Sequence, residues 1–370
     1  VSPKHLVSSC ENIIVGGGLS GLYLAYRLQQ TGKDFLLLEA RDRLGGRILG
    51  HLPVPEGPAL DLGPTWFWPG QEQLERLLRS LEIPVFKQQN QGDLLYEDQF
   101  VIAERISPQA YQMTSYRMNG GFIRLVESLR AALPQKKLLL SHQVRSIKNR
   151  DGSASENLLI DATPAGSASS RKFSAQRAFL ALPPRLVAEM ISFQPTLPQK
   201  TLSDMMAIPT WMAGQAKALI TYDRPFWRDQ HLSGQAFSRL GPMMEIHDAS
   251  TEGTGPYGLF GFLGGTSASR APLGKDQMTK AIQEQLNRLF GNEATLPLDI
   301  TIKDWAQDPF TATISDQQPL KNHPHYSMPE SMKRLWDGRL IFTGTEVASR
   351  DGGYLEGALV AANEALLNLI

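Results

Sequence analysis

Residues 13–47 read IIVGGGLSGLYLAYRLQQTGKDFLLLEARDRLGGR, and this stretch constrains the fold more than any other part of the chain. The apolar run Ile13-Ile14-Val15 predicts a buried strand. Gly16, Gly18 and Gly21 predict a tight turn into a helix, and Leu36-Leu37-Leu38 a second strand that ends on Glu39. Glycine lets a backbone turn this sharply and lets a pyrophosphate lie against the peptide N–H groups at a helix N-terminus. Glu39 lies 18 residues beyond Gly21, where a carboxylate can accept hydrogen bonds from a ribose. Strand, turn, helix, strand and acid occur in the order that a dinucleotide site requires.

Ala40 and Arg41 follow Glu39, and Gly45-Gly46-Arg47 comes shortly after. A second glycine turn carrying an arginine suits a second pass over a phosphate, where the guanidinium fork can pair with oxygens. An ordinary surface turn is the alternative. A length of 370 residues is ample for one two-domain chain. The 37 basic and 37 acidic residues cancel, so no long-range field favours nucleic acid or an acidic membrane. Cys10 is the single cysteine, which excludes a disulfide within the chain and points to a reducing compartment. No apolar run approaches the roughly 20 residues of a spanning helix, and the N-terminus lacks the apolar core of a signal peptide. A soluble cytoplasmic protein is expected, with no membrane or nucleic-acid partner; its oligomeric state is not legible. His323 and His325 lie in a proline-rich loop without cysteine or carboxylate at a ligand spacing, so no metal is expected. Hydrolase motifs and internal repeats are absent.

Further along, residues 61–66 form a turn able to approach a cofactor, and a helix is predicted over 71–81. Residues 84–120 are less regular. A helix over 122–133 and a strand over 144–147 follow. The Ser-, Ala- and Gly-rich stretch 151–175 reads as a mobile hairpin excursion. A strand at 179–182 is stopped by Pro183-Pro184. Strands at 215–222, 234–237, 243–247 and 258–262 predict a mainly antiparallel sheet. The helix 275–289 carries Met278, Ile282, Leu286 and Leu289 on one face. A strand at 339–343, a turn at 344–346 and a closing helix at 353–370 complete the pattern. The nucleotide domain is thus expected in separated pieces, with a second domain inserted between them.

The opening motif resembles the FAD-binding start of the flavin-containing amine oxidases. The resemblance continues through Asp61–Trp66, Asn119-Gly120-Gly121, Ala181-Leu182-Pro183-Pro184, Lys217 before the segment 222–227, Trp305, and GRLIFTGTEVASRDGGYLEGA at 338–358. It implies an α/β fold: a Rossmann-type FAD-binding domain with a parallel sheet, plus an inserted α+β substrate domain with a mainly antiparallel sheet. The implied boundaries are 1–84, 122–206 and 308–370 for the first, 85–121 and 207–307 for the second. It also implies FAD contacts at Gly16, Gly18, Leu19, Ser20, Gly21, Glu39, Ala40, Arg41, Gly46, Arg47, Gly63, Pro64, Thr65, Trp66, Val144, Gly344, Glu346, Tyr354, Leu355 and Ala358. Glu346 is expected near the ribityl or phosphate region, Val144 at the adenine through its backbone, and Leu355 at the flavin pyrimidine. A helix N-terminus there favours an anionic reduced flavin by about 0.3–2 kcal/mol.

Three residues are expected to serve catalysis. Lys217 sits in an apolar strand, where a snorkelling edge lysine is the plain alternative. The resemblance implies that it acts through a water at flavin N5 and stabilises the oxygen anion formed on reoxidation. Tyr354 matches one wall of an aromatic cage that aligns the amine, and Trp305 matches a flavin neighbour. The implied reaction takes a small amine to an imine by hydride transfer to N5, with O2 reduced to H2O2. A desaturase or dehydrogenase with another acceptor, or a non-catalytic flavin-binding module, is the alternative. The sequence departs from the family in three places. Residues 306–316 hold no cysteine, which implies non-covalent FAD; the second cage wall would fall at Ile314-Ser315, neither aromatic; and 84–120 is shorter than the family's helical insertion.

Overall fold

The computed structural model describes residues 8–53, 55, 57–107, 114–149, 157–253 and 255–367. Ser8–Val15 lies between two parallel neighbours, Phe35–Leu38 and Arg171–Leu180. A parallel strand covered on both faces reads as an unbroken apolar run. This is why Ile13, Ile14, Leu37 and Leu38 are all buried. The helix Leu19–Gln30 packs on one face of this sheet, against Leu355–Leu367 and Ile123–Ala131. Leu22, Leu24, Ala25 and Leu28 share one core there with Leu125, Leu129 and Leu359. The sheet runs Ser192–Gln194, His142–Asn149, Leu158–Pro164, Arg171–Leu180, Ser8–Val15, Phe35–Leu38, Leu138–Leu139. Leu340–Phe342, from the far end of the chain, also pairs in parallel with Arg171–Leu180.

A second, seven-stranded sheet is ordered Asp299–Asp304, Ala216–Tyr222, Tyr257–Leu263, Met243–Asp248, Leu232–Ser238, Asp93–Glu97, Glu104–Ile106. Its pairings are antiparallel except where Leu232–Ser238 meets Asp93–Glu97. The helix Gly274–Phe290 covers this sheet through Met278, Ile282, Leu286 and Leu289, which join Ala218, Ile220 and Trp227 in one core. The helical spacing of those four residues is therefore realised as a packed face.

The structure corrects two sequence expectations. The stretch 151–175 is not an excursion from the domain. Its described part holds most of two strands, Leu158–Pro164 and Arg171–Leu180, paired to each other within the first sheet. Leu158, Ile160, Ala162, Phe173 and Ala175 alternate inward and are buried. The period-two alternation was the stronger signal, and the small-residue content around it obscured it; residues 150–156 lie outside the described part. The less regular stretch 84–120 supplies four short strands: Val85–Lys87, Asp93–Glu97, Glu104–Ile106 and Tyr116–Met118. It carries no helix among its described residues.

Candidate active site

One cavity of about 420 Å³ receives side chains from both sheets. At its first-sheet end, Gly16 adopts φ +106 as the chain leaves its strand, and its N–H donates to the Leu38 carbonyl at 2.8 Å. A Cβ on Gly21 would lie 2.0 Å from the Gly16 carbonyl oxygen, so the helix can approach the strand only without one. A Cβ on Gly18 would meet nothing nearer than the Gly46 Cα at 4.0 Å. The two glycines thus line an open cradle at the start of Leu19–Gln30, where the free N–H groups and the helix dipole favour an anion.

The charged groups around this cradle are held in place. Glu39, 3% exposed, accepts from the Gly17 N–H at 2.6 Å and the Arg41 N–H at 2.8 Å. A carboxylate has about four acceptor positions, so capacity remains on the cavity side. Arg41 donates to Asp308 at 2.6 Å and to Thr311 at 2.9 Å, which ties the first sheet to the segment after Trp305. Arg47 pairs with Glu346 at 2.6 Å and donates to the Trp211 carbonyl at 3.1 Å. Glu346 is fully buried, and no described donor meets either of its oxygens in hydrogen-bonding geometry. A buried carboxylate paired with a single arginine, lining the same cavity as the glycine cradle, keeps acceptor capacity that fits a ligand with hydroxyl or N–H donors along a phosphate-bearing chain.

The other end of the cavity is set by the second sheet. Lys217 stands on Ala216–Tyr222, between Tyr257–Leu263 and Asp299–Asp304, and is 2% exposed. It is not a snorkelling edge residue. Its Nζ donates to the Thr65 hydroxyl and, at 3.1 Å, to the Gly63 carbonyl, and stands 4.0 Å from the centre of the Phe260 ring. Burial pushes its pKa down from 10.5 to about 7; the Asp61 carboxylate works against this and Arg117 adds to it. Burial likewise pushes the Asp61 carboxyl up, against the pull of Arg117, Lys217 and the Phe122 N–H. Trp305 is buried and donates its indole N–H to the Leu62 carbonyl at 3.1 Å. Tyr354 sits in the turn just before Leu355–Leu367, with the edge of Trp68 at 5.7 Å and His323 stacked parallel at 4.6 Å.

Of the residues singled out in the sequence, nineteen line this cavity: Gly16, Gly18, Leu19, Ser20, Glu39, Arg41, Gly46, Arg47, Gly63, Pro64, Thr65, Trp66, Lys217, Trp305, Gly344, Glu346, Tyr354, Leu355 and Ala358. Three do not. Gly21 packs against Gly16, Ala40 follows Glu39 outside the lining, and the Val144 side chain is buried in the core of the first sheet. Ile314 and Ser315, the positions for a second cage wall, are exposed and off the cavity. Trp66, Trp211 and Phe310 line it instead. Sequence reading missed Glu245, Phe262, Gln215, Met212 and Trp68. For Glu245 and Phe262 the available signal was register: both pair into the row that holds Lys217.

A family model described as flavin containing amine oxidoreductase matches residues 91–365, and one described as an NAD(P)-binding Rossmann-like domain matches residues 14–81. The chain belongs to the flavin-containing amine oxidoreductase family. It is an FAD-dependent oxidoreductase of the amine-oxidase type with an α/β Rossmann-like fold and a substrate domain. Among curated relatives, an L-amino acid dehydrogenase from Synechocystis is 24% identical over 98% of this chain and 96% of its own length. Human flavin-containing amine oxidase B is 22% identical, covering 98% and 86% respectively. Wild-type putrescine oxidase bound to putrescine superimposes with a TM-score of 0.77 at 19% identity, over 98% of this chain and 100% of that one. Cyclohexylamine oxidase from Brevibacterium oxydans gives 0.76 at 18% identity, over 97% and 98%. The alignment with the Synechocystis relative spans 462 positions against 370 residues, so that relative carries insertions this chain lacks. No described helix is long and apolar enough to cross a membrane.

Proposed function

We propose that this protein oxidises a small amine to an imine, using non-covalently bound FAD and passing the electrons to O2. The observation that carries the reading is Lys217: a buried lysine fixed by Thr65 and Gly63 in the wall of a cavity whose other end is a dinucleotide cradle. When bound, FAD supplies a two-electron acceptor for the hydride of the amine's α-carbon and a route for those electrons to O2.

The chain's own residues do the rest. Glu39 and the Gly16–Gly18 turn take the nucleotide end, and Arg47 with Glu346 the middle. The N-terminus of Leu355–Leu367 lends partial positive charge to the far end. Trp66, Trp211, Trp305 and Tyr354 exclude water and orient the substrate against aromatic faces. Lys217 is protonated below its lowered pKa of about 7, and in that form its charge is available where negative charge develops during reoxidation. Cys10, the only cysteine in the chain, lies outside the cavity lining, which supports non-covalent attachment.

Anaerobic bleaching of the flavin by a panel of primary, secondary and polyamines tests the reaction, followed by readmission of air with peroxide detection. Bleaching without peroxide would assign a dehydrogenase with another acceptor, and no bleaching would remove the amine reading. Acid precipitation is expected to release yellow FAD into the supernatant; colour retained on the polypeptide would refute non-covalent binding.

A further inference from the structure

An ammonium has three N–H donors and no acceptor, and the surroundings of Lys217 receive all three. One donates to the Thr65 hydroxyl and a second to the Gly63 carbonyl at 3.1 Å. The third is left to the face of Phe260, whose ring centre lies 4.0 Å from Nζ. These three receivers differ in one respect. A carbonyl oxygen and an aromatic face have no proton to pass on. The Thr65 hydroxyl accepts from Lys217 and still holds a proton of its own.

That proton is barely engaged by the protein. Its one acceptor among the described residues is the Gly63 carbonyl at 3.5 Å, at the limit of a hydrogen bond, and Lys217 already donates to that oxygen. Thr65 is 4% exposed and lines the cavity, so its hydroxyl can turn the proton inward. The segment that carries it is held on both sides. Asp61 accepts from the Phe122 N–H at 2.8 Å, and the Trp66 indole donates to Gln88 at 2.7 Å.

We propose that Thr65 is a positioning and proton-relay residue, through which Lys217 protonates the oxygen reduced during flavin reoxidation. This rests on the reading that the electrons pass to O2. O2 becomes H2O2 by taking two electrons and one proton from the anionic reduced flavin, and it needs one proton more. In the relay, the Thr65 Oγ1–H bond breaks toward the oxygen as an Nζ–H bond of Lys217 breaks toward Oγ1. The hydroxyl is regenerated, Lys217 is left as a neutral amine, and water restores its proton before the next cycle.

The charges that face Lys217 come from residues other than Thr65. Asp61 and Arg117 act on it directly. Lys303 is its partner on the Asp299–Asp304 strand and donates to Asp308 at 2.9 Å. Glu245 lies two strands away, beyond Phe262, and is paired with His247. All of them persist when Thr65 is changed. Removing its hydroxyl takes one hydrogen bond from the charged form of Lys217, which then releases its proton below the wild-type value of about 7.

The test reduces the holoprotein anaerobically with stoichiometric dithionite, so that no amine is needed. Flavin absorbance is then followed after mixing with oxygenated buffer over a series of pH values. The wild-type rate should fall as pH rises through about 7. Thr65→Val keeps the shape and removes the hydroxyl. It is expected to reoxidise about tenfold more slowly on the acid side, with the midpoint of the fall about one pH unit lower. Thr65→Ser returns a hydroxyl and should recover the wild-type rate to within about twofold, at the wild-type midpoint. A valine variant with the wild-type rate, a slower one with an unmoved midpoint, or a serine variant as slow as valine would each overturn the proposal. If the valine variant holds no flavin, Thr65→Ala against Thr65→Ser decides by the same two readouts. A wild type that reoxidises no faster than Lys217→Met would instead remove the oxidase reading, and the relay with it.

Discussion

The two ends of the cavity are built on different principles. At the glycine end, polar groups are held by backbone or by a fixed ion pair, and the shape depends on atoms that are absent: the Cβ atoms of Gly16, Gly18 and Gly21. At the lysine end, the walls are large side chains drawn from the segments around Thr65, Trp211, Lys217, Glu245, Phe262, Trp305 and Tyr354. The first end is contiguous in sequence and rigid by steric exclusion. The second is assembled from distant pieces and takes its chemistry from burial. Steric exclusion tolerates almost no substitution, whereas an assembled wall loses function by degrees.

The largest effect is therefore expected at the glycine end. Gly21→Val places a side chain where even a Cβ would stand 2.0 Å from the Gly16 carbonyl oxygen. The helix must shift away from the strand, and FAD content measured by absorbance should fall below detection; a variant that keeps a full complement of flavin would break the comparison. Next, Arg47→Ala leaves the fully buried Glu346 without its ion-pair partner. Uncompensated buried charge costs about 3 kcal/mol, read as a lowered urea midpoint at unchanged slope, and an unaltered midpoint would show that Glu346 is not held as a charge.

At the lysine end, Lys217→Met should slow reoxidation by O2 about a hundredfold while leaving anaerobic reduction by amine much less affected. The same variant tests the burial of Lys217 independently of catalysis. With a folded pKa of about 7 against an ordinary 10.5, the unfolded chain binds the extra proton between those values. Stability should then rise with pH across that window, and Lys217→Met should abolish this rise. Denaturant midpoints at a series of pH values would show it, and identical slopes in both proteins would refute the assignment. Wild-type reoxidation should correspondingly fall as pH passes upward through about 7. The smallest effect is expected at the aromatic wall. Tyr354→Leu should lower kcat/KM for an amine by about three- to tenfold, in line with the loss of an aromatic face, with Tyr354→Phe close to wild type. A Phe variant as impaired as the Leu variant would assign the role to the hydroxyl.

How far the sequence could be read follows the same division. The strand–turn–helix from Ile13 to Gln30 was legible because its constraints are local: an apolar run, a glycine spacing and an acid at a set distance. The helix Gly274–Phe290 was legible because one packed face leaves a 3.6-residue period. The stretch 151–175 was legible as a hairpin, and Leu158–Pro164 and Arg171–Leu180 do pair antiparallel; that these strands belong to the first sheet was missed because loop-like composition around a short strand outweighed its alternation. The catalytic expectations at Lys217 and Tyr354 came from motif resemblance, since neither residue carries a local pattern that separates a functional side chain from a packed one. Glu245 was missed for that reason too: in the segment MMEIHD an acid on a strand is ordinary.

By itself, then, the sequence determined the dinucleotide end of this protein, because backbone sterics act between residues close along the chain. Only the tertiary structure decided that Lys217 is buried, that Glu346 is buried and paired with Arg47, and that Glu245 shares a row with the lysine. Desolvation, pairing and strand register are properties of neighbours in space, and those neighbours come from segments up to about 300 residues apart, the separation from Arg47 to Glu346.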